Sequence, residues 1–360
     1  MKYKFGDIVH YINDKRMPVP DDKYTYIGLE HLDSGSLQVT HWGSDVDIIG
    51  QKLIMHKGDI LFGRRNTYLK RVAVAPHDGL FSAHGMIWRP KEEIVDRDFF
   101  IHFVASDYFL DEAIRISVGS LSPTVNWRDL KELEFEIPSL ETQRKLAVLM
   151  QAMERTKTAY KNLIAKTDEL VKSQFIEMFG DPVSNSKGFP IRTLPELGQN
   201  LDNRRVPITS GDRKTGIYPY FGASGIVDYV DDYIFDEDIL LISEDGANLL
   251  ARTTPIAFSA TGKVWVNNHA HVMRFDKMAM QVYVENLLNS IDISGYVTGT
   301  AQPKLNQAKL NSIPIPVPNI KVLEEYMVFK EQSDKSKLAA QQALADLTSA
   351  QKALMRQYLG

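Results

Sequence analysis

The chain contains one sequence unit twice. Each copy is a short apolar segment that ends in proline, at Pro138 and at Pro318, followed by a long helical stretch that ends in glycine. The first copy spans 133–180 and the second spans 313–360, so matched positions are separated by half the length of the chain. The sequence therefore predicts two related halves of equal length.

Each half is predicted to be one globular domain followed by one long helix. Single cores stop growing near roughly 250 to 300 residues, so this length favours two cores. Runs rich in β-branched and aromatic residues, such as Ile60–Phe62 and Gly85–Trp88, predict strands, whereas Phe99–Ile116 has helical spacing. The fold class is therefore mixed α/β. The predicted order is a first domain at 1–140, a first helix at 141–180, a second domain at 181–320 and a second helix at 321–360.

The composition is that of a folded cytoplasmic protein. Hydrophobic residues make up 44% and charged residues 24%, both ordinary values. The absence of cysteine excludes disulfides, cysteine zinc sites and thiol catalysis, and fits a reducing compartment. We find neither a signal peptide nor an apolar stretch long enough for a membrane span. A net charge of −4 argues against nonspecific binding to polyanions, although basic residues can still gather on one face.

The two long helical stretches carry apolar residues in alternating steps of three and four, which is a heptad seam. The predicted seam residues are Leu146, Leu149, Met153, Tyr160, Leu163 and Leu170 in the first helix, and Tyr326, Phe329, Ala340, Leu347 and Leu354 in the second. A helix of about 38 residues would span roughly 57 Å, which outreaches a domain of this size. We expect the helices to pair as a two-stranded coiled coil rather than to pack separately.

The direction of that pairing follows from symmetry. Antiparallel helices would place one domain at each end and relate the halves by a pseudo-two-fold axis, whereas parallel helices would place both domains at one end. Duplex DNA has local two-fold axes, and proteins that read two half-sites match them. The sequence therefore favours an antiparallel coil that acts as a spacer.

No catalytic or metal-binding motif was found. The chain lacks a methyltransferase Asn/Asp-Pro-Pro-Tyr/Phe motif, a phosphate loop and a dinucleotide fingerprint. Pro20–Lys23 resembles part of a nuclease motif but lacks the separated carboxylates that hold a divalent metal, so we interpret it as a turn. His269 and His271 have no third ligand nearby in sequence and are interpreted as two outward positions of a strand.

Several motifs occur once in each half at matched places. They are the Asn-x-x-x-Leu segments Asn126–Leu130 and Asn306–Leu310, the loops Ser120–Asn126 and Thr300–Asn306, and the strands containing Ile60–Leu61 and Ile239–Leu240. A further motif is the end of the first long helix, Phe175–Pro182. Together they resemble the specificity subunit of type I restriction-modification systems. The chain departs from that pattern at Glu237, which replaces a usual glycine, and its two loops differ at Thr124 and Lys304.

The resemblance implies a non-catalytic subunit that reads double-stranded DNA. Each globular domain would be a target recognition domain for one half of a bipartite asymmetric sequence. The coil would set the unread gap and dock two modification (methyltransferase) subunits, with ATP-driven restriction subunits completing the complex. S-adenosylmethionine, ATP and Mg would then act in those partners, and this chain would hold no cofactor.

Candidate DNA contacts follow from the chemistry of arginine, lysine and amides, which hydrogen-bond base edges and pair with phosphates. The strongest signal is the segment Arg64–Arg71, which has four cations and no acid; its candidates are Arg64, Arg65, Asn66, Tyr68, Lys70 and Arg71. An ordinary solvated basic hairpin is the alternative. Further candidates are Arg204, Arg205, Arg213, Lys214, Asn248, Arg252 and Lys263, with Ser120, Gln302 and Lys304 in the recurring loop, which scaffold geometry alone could explain.

Two other functions remain open. A specificity subunit of a fused methylase-nuclease system of type IIB would share this architecture and differ in its partners. A tandem-domain enzyme acting on a small molecule would instead have a deep pocket with perturbed ionisable groups. The sequence specifies neither the DNA target nor which domain reads which half.

Overall fold

The computed structural model describes residues 1–299 and 301–359, so Thr300 and Gly360 of the sequence motifs lie outside the described residues. The chain divides into two compact units. The first unit comprises Met1–Asn162 together with the stretch that begins at Ala340, and the second unit comprises Leu163–Ala339. Each long helix therefore contributes to both units.

The first unit contains nine short strands and four short helices before its long helix. The strands are β1 (Lys2–Lys4), β2 (Val9–Ile12), β3 (Lys15–Arg16), β4 (Lys52–Met55), β5 (Ile60–Gly63), β6 (Val72–Val74), β7 (Gly79–Phe81), β8 (Gly85–Pro90) and β9 (Glu134–Glu136). The helices are α1 (Phe5–Ile8), α2 (Arg97–Val104), α3 (Asp107–Arg115), α4 (Trp127–Leu130) and the long α5 (Leu140–Phe179).

The central strand β5 organises the first unit. It pairs antiparallel with β6 and β8 in a sheet of order β2-β8-β5-β6, and all four of its residues are buried. Ile60 and Phe62 face a core that contains Trp88 and the phenylalanines of α2 and α3, whereas Leu61 faces a second core formed with the β3-β4-β7 sheet. Because alternate side chains of a strand point to opposite faces, a strand with both faces covered is apolar throughout.

The helical stretch predicted at Phe99–Ile116 is two helices. Helix α2 ends at Val104, and α3 begins after Ser106, whose hydroxyl accepts a hydrogen bond from the backbone N–H of Phe109 (3.4 Å). Serine is a favoured N-cap because its oxygen satisfies an N–H that lacks a partner within the helix. The sequence prediction missed this break because apolar residues keep helical spacing across it.

The second unit has the same plan with a larger second sheet. Its strands are β10 (Ile191–Arg192), β11 (Gly198–Asn200), β12 (Thr215–Gly222), β13 (Gly225–Val230), β14 (Phe235–Asp236), β15 (Ile239–Ser243), β16 (Ala257–Ala260), β17 (Lys263–Val266), β18 (Ala270–Phe275) and β19 (Ile315–Pro316). Its helices are α6 (Leu194–Leu197), α7 (Asn248–Ala251), α8 (Met278–Ser290), α9 (Gln307–Asn311) and the long α10 (Ile320–Leu359).

Strand β15 takes the place of β5. It lies between β16 and β18 in a sheet of order β11-β18-β15-β16, with Leu240 and Ile242 facing a core that includes α8. The opposite face packs against the β13-β12-β17-β14 sheet, where β12 and β17 are parallel. The β12–β13 hairpin is the main addition relative to the first unit.

Each unit is closed by a two-stranded sheet next to its long helix. Strand β1 pairs with β9 in the first unit, and β10 pairs with β19 in the second. The long helices that follow are 40 residues each. Helix α5 ends at Gly180, whose positive φ of 71° is the left-handed conformation that glycine adopts most easily after a helix.

The two long helices run antiparallel within each unit, as predicted. In the first unit, Met355 near the end of α10 joins the same core as Leu146 and Met150 near the start of α5. In the second unit, the rings of Phe175 and Phe179 near the end of α5 lie 5.5 Å and 5.1 Å from the ring of Tyr326 near the start of α10. The end of one helix thus packs beside the start of the other in both units.

The buried stripe of each helix follows steps of four and then three, whereas the prediction placed three first. The structure buries or half-buries Leu146, Met153, Tyr160, Tyr326, Phe329, Ala340, Leu347 and Leu354 of the predicted seam. It exposes Leu149, Leu163 and Leu170, which are 43%, 48% and 51% accessible. Met150, Ile164 and Val171, each one residue later, take their places in the buried stripe.

A lysine also occupies a buried position of this stripe. Lys157 is only 9% exposed because its ammonium bonds Glu154 (2.8 Å) and Gln351 of α10 (3.0 Å). Lys337, the matched position of the second copy, bonds Asp168 of α5 (2.6 Å). A count of apolar residues rejects a register that buries a lysine and so selects positions one residue earlier. No helix of the described residues is long and apolar enough to cross a membrane.

Candidate nucleic-acid interface

The basic segment Arg64–Arg71 of the first unit, termed the basic loop, lies against the loop Val118–Val125, termed the first motif loop. Arg65 and Thr124 form an isolated antiparallel bridge. The N–H of Asn66 donates to the carbonyl of Pro123 (2.8 Å), and the N–H of Val125 donates to the carbonyl of Arg64 (3.0 Å). Two segments that the sequence suggested separately therefore form one surface beyond the end of β5.

The basic loop has a defined backbone conformation. Asn66 and Lys70 are left-handed, with φ of 55° and 50°, on either side of the turn Thr67–Leu69. The buried hydroxyl of Thr67 donates to the carbonyl of Arg64 (2.9 Å), and Ser34 donates to the carbonyl of Leu69 (2.6 Å). Loops fixed on a scaffold in this way commonly carry binding residues.

Three arginines of the basic loop are available to an anionic ligand. Arg65 is exposed, Arg64 and Arg71 are half-buried, and none of the three forms an ion pair within the described residues. Lys70 differs, because its ammonium contacts both Asp107 and Asp111 at 2.7 Å. Within the predicted basic cluster, the arginines are therefore better placed than the lysine to meet phosphates or bases.

Aromatic and apolar side chains accompany these arginines. Tyr68 is 55% exposed, and Leu121 at the tip of the first motif loop, beside the exposed Ser120, is 95% exposed. The ring of Tyr11 stacks on that of Trp127 at 4.6 Å. Burial raises the pKa of Tyr11, and the positive charge of Arg64 partly opposes this effect. Leu121, Tyr11 and Trp127 were not singled out by the sequence, because single apolar residues carry no binding signal.

The second unit repeats the backbone arrangement. Asp245 and Lys304 form the bridge that matches Arg65 and Thr124. The N–H of Gly246 donates to the carbonyl of Pro303 (3.0 Å), and the N–H of Leu305 donates to the carbonyl of Glu244 (2.8 Å). All these positions follow their counterparts by the same half of the chain length that separates the two sequence units. The loop Glu244–Arg252, termed the equivalent loop, therefore corresponds to the basic loop structurally as well as by position.

The charges of the equivalent loop are reversed and neutralised internally. Glu244 contacts Arg205 at 2.6 Å and Lys304 at 3.1 Å, and His269 lies 2.8 Å from Asp245. Burial opposes ionisation of Glu244, but the hydrogen bond from Arg205 and the neighbouring charges outweigh it, so the pKa of this carboxyl lies below its usual value. Arg205, with its side chain 14% exposed, is thus committed to an internal network.

His271 anchors the same network from inside the unit. Its ring nitrogens lie 2.6 Å from a carboxylate oxygen of Asp202 and 2.7 Å from the carbonyl of Leu305. The side chain is 1% exposed, so the interpretation of His271 as an outward strand position is wrong. It connects β18 to the segment that carries Lys304. Within the part of the chain that the structure describes, no group of three or more His, Cys, Asp or Glu residues could hold a metal ion.

The other predicted residues of the second unit differ in their availability. Arg204 bonds Glu237 (2.6 Å), and Arg213 lies over the ring of Tyr220 at 4.5 Å with a bond to Asp228 (3.3 Å). Arg252 donates to the carbonyls of Leu288 and Ile291, and Asn248 bonds the backbone of Thr254. Lys263 lies over the ring of Tyr233. Lys214 and Gln302 are exposed. Most of these cations therefore already have partners.

The β12–β13 hairpin supplies a surface that the sequence prediction did not identify. Ile217 is 78% exposed, Val227 is 55% exposed and Tyr229 is 49% exposed. Lys214 directly precedes β12. Strand β13 reads Gly-Ile-Val-Asp-Tyr-Val, without alternation of apolar and polar residues, so the sequence carried no signal for its exposed side chains.

Two solved structures share this class of fold, in which two mixed α/β units are connected by long antiparallel helices. One is a type I restriction-modification system S subunit from M. genitalium, with a TM-score of 0.65, 14% identity, and coverage of 100% of this chain and 96% of that one. The other comes from work on complex assembly and conformational transition of the type I R-M system, with a TM-score of 0.61, 16% identity, and coverage of 99% and 97%. At these identities the likeness concerns the fold.

Sequence comparison identifies the family. The model of the type I restriction modification DNA specificity domain matches residues 1–169 and 186–342, and the chain belongs to this family. A Haemophilus influenzae protein named as a type I restriction enzyme specificity subunit is 35% identical over 134 residues, which are 37% of this chain and 34% of that protein. The aligned part thus spans about a third of the length of this curated relative. The resemblance stated from the sequence motifs is confirmed.

Proposed function

We propose that the chain is the DNA-reading subunit of a type I restriction-modification complex, with one half-site of a bipartite asymmetric target read by each unit. The observation that carries this proposal is the recurrence of one loop pair beyond β5 and β15, fixed by the same backbone bonds but carrying different side chains. A shared scaffold with different side chains suits the reading of two different sequences. The coil formed by the two long helices would set the length of the unread DNA between the half-sites.

The rest of the complex follows from the family. Two modification (methyltransferase) subunits would dock on this chain, and ATP-driven restriction subunits would complete the assembly. S-adenosylmethionine, ATP and Mg would act in those chains, and this subunit would be non-catalytic and work in the cytoplasm. A solved structure with this fold, described as concerning complex assembly of the type I R-M system, supports the proposal that this chain works with partner subunits.

The first unit would read DNA mainly through donors. Arginine can donate two hydrogen bonds to O6 and N7 of guanine and can also pair with phosphates. Arg64, Arg65 and Arg71 lack ion-pair partners within the described residues, and the exposed Tyr68 belongs to the same loop. We assign base reading to Arg65, the most exposed of the three, and phosphate contacts to the others.

The proposal is tested by mapping methylation. The full chain is coexpressed with its modification subunit in a host that lacks adenine methylation, and the methylated positions are mapped by single-molecule sequencing. The expected result is one motif with two different half-sites separated by a fixed gap. Methylation without sequence context, or a motif without a gap, contradicts the proposal. A control without this chain should show no methylation.

The spacer role is tested by changing the length of both helices together. Removal of one heptad from each helix, at matched positions of the two copies, keeps the seam in phase. The coil then shortens by about 10 Å, which corresponds to roughly three base pairs. The gap in the methylated motif should shrink while both half-sites stay the same. An unchanged gap would show that the coil does not set the separation.

A further inference from the structure

A cavity of about 260 Å³ lies inside the first unit, away from the tip of the first motif loop. It is bordered by the segment Ser34–Leu37, by α2 and α3, and by both long helices. At about 30 Å³ for each water in the liquid, the volume corresponds to roughly eight or nine waters. A small organic molecule would fit.

The buried part of the cavity contains a polar atom without a partner. His102 is 6% exposed, and its Nδ1 is buried with no hydrogen bond to the residues described by the structure. Burial lowers the pKa of His102, and Lys157 adds to this effect while Glu154 and Asp98 oppose it. Buried polar atoms nearly always have a hydrogen-bond partner, so the cavity is expected to supply one.

A buried cation lies in the same wall. The Lys157 ammonium uses two of its three N–H donors on Glu154 and Gln351, and one donor remains for a ligand. The whole lining carries four cations and two carboxylates, so two positive charges are in excess. The cations are Lys70, Lys157, Lys352 and Arg356, and the carboxylates are Asp107 and Glu154. Apolar side chains such as Val72 and Met355 complete the walls. This combination suits an anion with a short apolar body.

The cavity is also connected to the basic loop. Two lining residues hold that loop in place: Ser34 donates to the carbonyl of Leu69 (2.6 Å), and Lys70 pairs with Asp107 (2.7 Å). Asp107 in turn contacts Lys352 of α10 at 3.0 Å. An anion bound here would compete with Asp107 for both lysines and would change how firmly the basic loop is held.

We propose that this cavity binds a small organic anion, a phosphate monoester or a carboxylate, through Lys157 and His102, and that its occupancy alters the mobility of the basic loop. The site would regulate the first unit alone. In the second unit, Lys337 occupies the position of Lys157, but its side chain is 30% exposed and bonds Asp168 of the other long helix (2.6 Å and 2.9 Å), so it is not enclosed as Lys157 is. This regulatory role rests on the proposed DNA-reading function, whereas the binding itself does not.

Binding is tested on the full chain without DNA. The protein carries ¹³C-methyl methionine, and the Met355 resonance, assigned with Met355→Leu, is followed during titration with inorganic phosphate, acetate and phenyl phosphate. We expect a saturable shift with phenyl phosphate and about tenfold weaker binding in Lys157→Gln. Lys337→Gln is the matched control and should bind as the wild type does. Circular dichroism checks that each variant folds.

A second variant keeps the test decisive if Lys157→Gln fails to fold. Lys352→Gln, at the exposed edge of the cavity, should also weaken binding. The proposal is overturned if none of the three anions shifts Met355 in a saturable way, or if binding is equal in the lysine variants and the wild type. Benzyl alcohol, which lacks the charge, should bind more weakly than phenyl phosphate; equal binding would overturn the assignment of an anion.

The effect on the basic loop is measured by hydrogen exchange with and without saturating phenyl phosphate. Amides of Asn66–Arg71 should change their exchange rate severalfold, while those of the equivalent loop should not. Unchanged exchange in the basic loop would refute the regulatory link while leaving the binding site in place. Because this readout needs no DNA, its failure is distinguishable from failure of the DNA-reading function.

Discussion

The basic loop and the equivalent loop have the same backbone bonds and opposite charges. Arg64 and Arg65 occupy the positions that Glu244 and Asp245 occupy in the second unit. The arginines form no ion pair among the described residues, whereas the acids are paired with Arg205, Lys304 and His269. Backbone bonds hold the loops in place regardless of side chain, so the side chains can change for binding. In the described part of the chain, the same position therefore carries unpaired arginines in the first unit, where we propose DNA contacts, and internally paired acids in the second.

Removing Arg205 should produce the largest effect and should act on stability. Arg205→Ala removes the arginine that contacts the largely buried Glu244 and Asp202 and leaves them Lys304 and His271 as partners. Breaking a buried ion pair typically costs about 3–5 kcal/mol. Because the side chains of Arg205 and Glu244 are 14% and 12% exposed, we expect the lower end, about 3 kcal/mol. Urea denaturation of the full chain measures the loss. Glu244→Gln in the same background should restore part of it.

A substitution in the basic loop of the first unit should have a much smaller effect on stability than Arg205→Ala. Arg65→Ala removes an exposed cation that has no ion-pair partner in the described residues, so the free energy of unfolding should change by less than about 0.5 kcal/mol. If Arg65→Ala destabilised the protein as much as Arg205→Ala, the division between a recognition loop and a structural loop would not hold.

Arg64→Ala and Arg65→Ala should have the next largest effect, on DNA binding. Each should weaken binding by about 1–3 kcal/mol if it contacts a base, and only the half-site read by the first unit should become less specific. Lys70→Ala should cost less, because Asp107 and Asp111 already hold that ammonium. Competition binding with variant half-sites, in complex with the modification subunit, measures these differences. An equal loss of specificity at both half-sites would contradict separate reading.

The two seam lysines should differ in their contribution to stability. The side chain of Lys157 is 11% exposed, whereas that of Lys337 is 30% exposed. Burial raises the pKa of Glu154, but its bonds with Lys157 and Gln351 outweigh this and lower it overall, so Lys157→Ala removes a favourable partner. We expect a cost of about 1–2 kcal/mol for Lys157→Ala and less than about 1 kcal/mol for Lys337→Ala. Thermal unfolding at one pH compares them, and a reversed order would contradict the burial argument.

The smallest expected effect is a dependence of stability on pH in the first unit. Burial lowers the pKa of His102 in the folded state, so below the unfolded value near 6.5 the unfolded state binds more protons. The stability contributed by neutral His102 is therefore complete above about pH 6.5 and is lost as the pH falls. His102→Gln should flatten the stability curve between pH 7 and pH 5. The exposed His84→Gln is the control, and an unchanged slope in His102→Gln would contradict this assignment.

Local patterns predicted the parts of the fold that depend on neighbouring residues. The recurrence of one unit at half the chain length indicated two related halves, and helical periodicity together with terminal glycines indicated the long helices. The antiparallel direction required an argument from symmetry in addition. Motifs that recur in both halves were sufficient to identify the family.

Features that depend on distant residues could not be read from the sequence. The choice between Leu149 and Met150 depends on the opposite helix, because Gln351 satisfies Lys157 and thereby admits it to the seam. The contact between the basic loop and the first motif loop joins segments that are separated in sequence by several strands and helices. The ion pair between Arg205 and Glu244 could not be predicted, because the two residues are distant in sequence and only folding brings them together.

The two-stranded sheets β1–β9 and β10–β19 determine how a unit could be exchanged between related genes. In the first unit the chain enters through β1 and leaves through its partner β9, and in the second it enters through β10 and leaves through β19. Each reading domain is therefore a segment of chain whose two ends are adjacent before a long helix. A genetic exchange with breakpoints in these strands would transplant a whole domain and leave the packing of the helices intact. If each unit reads one half-site, as we propose, such an exchange would create a new combination of half-sites without a change to any contact residue.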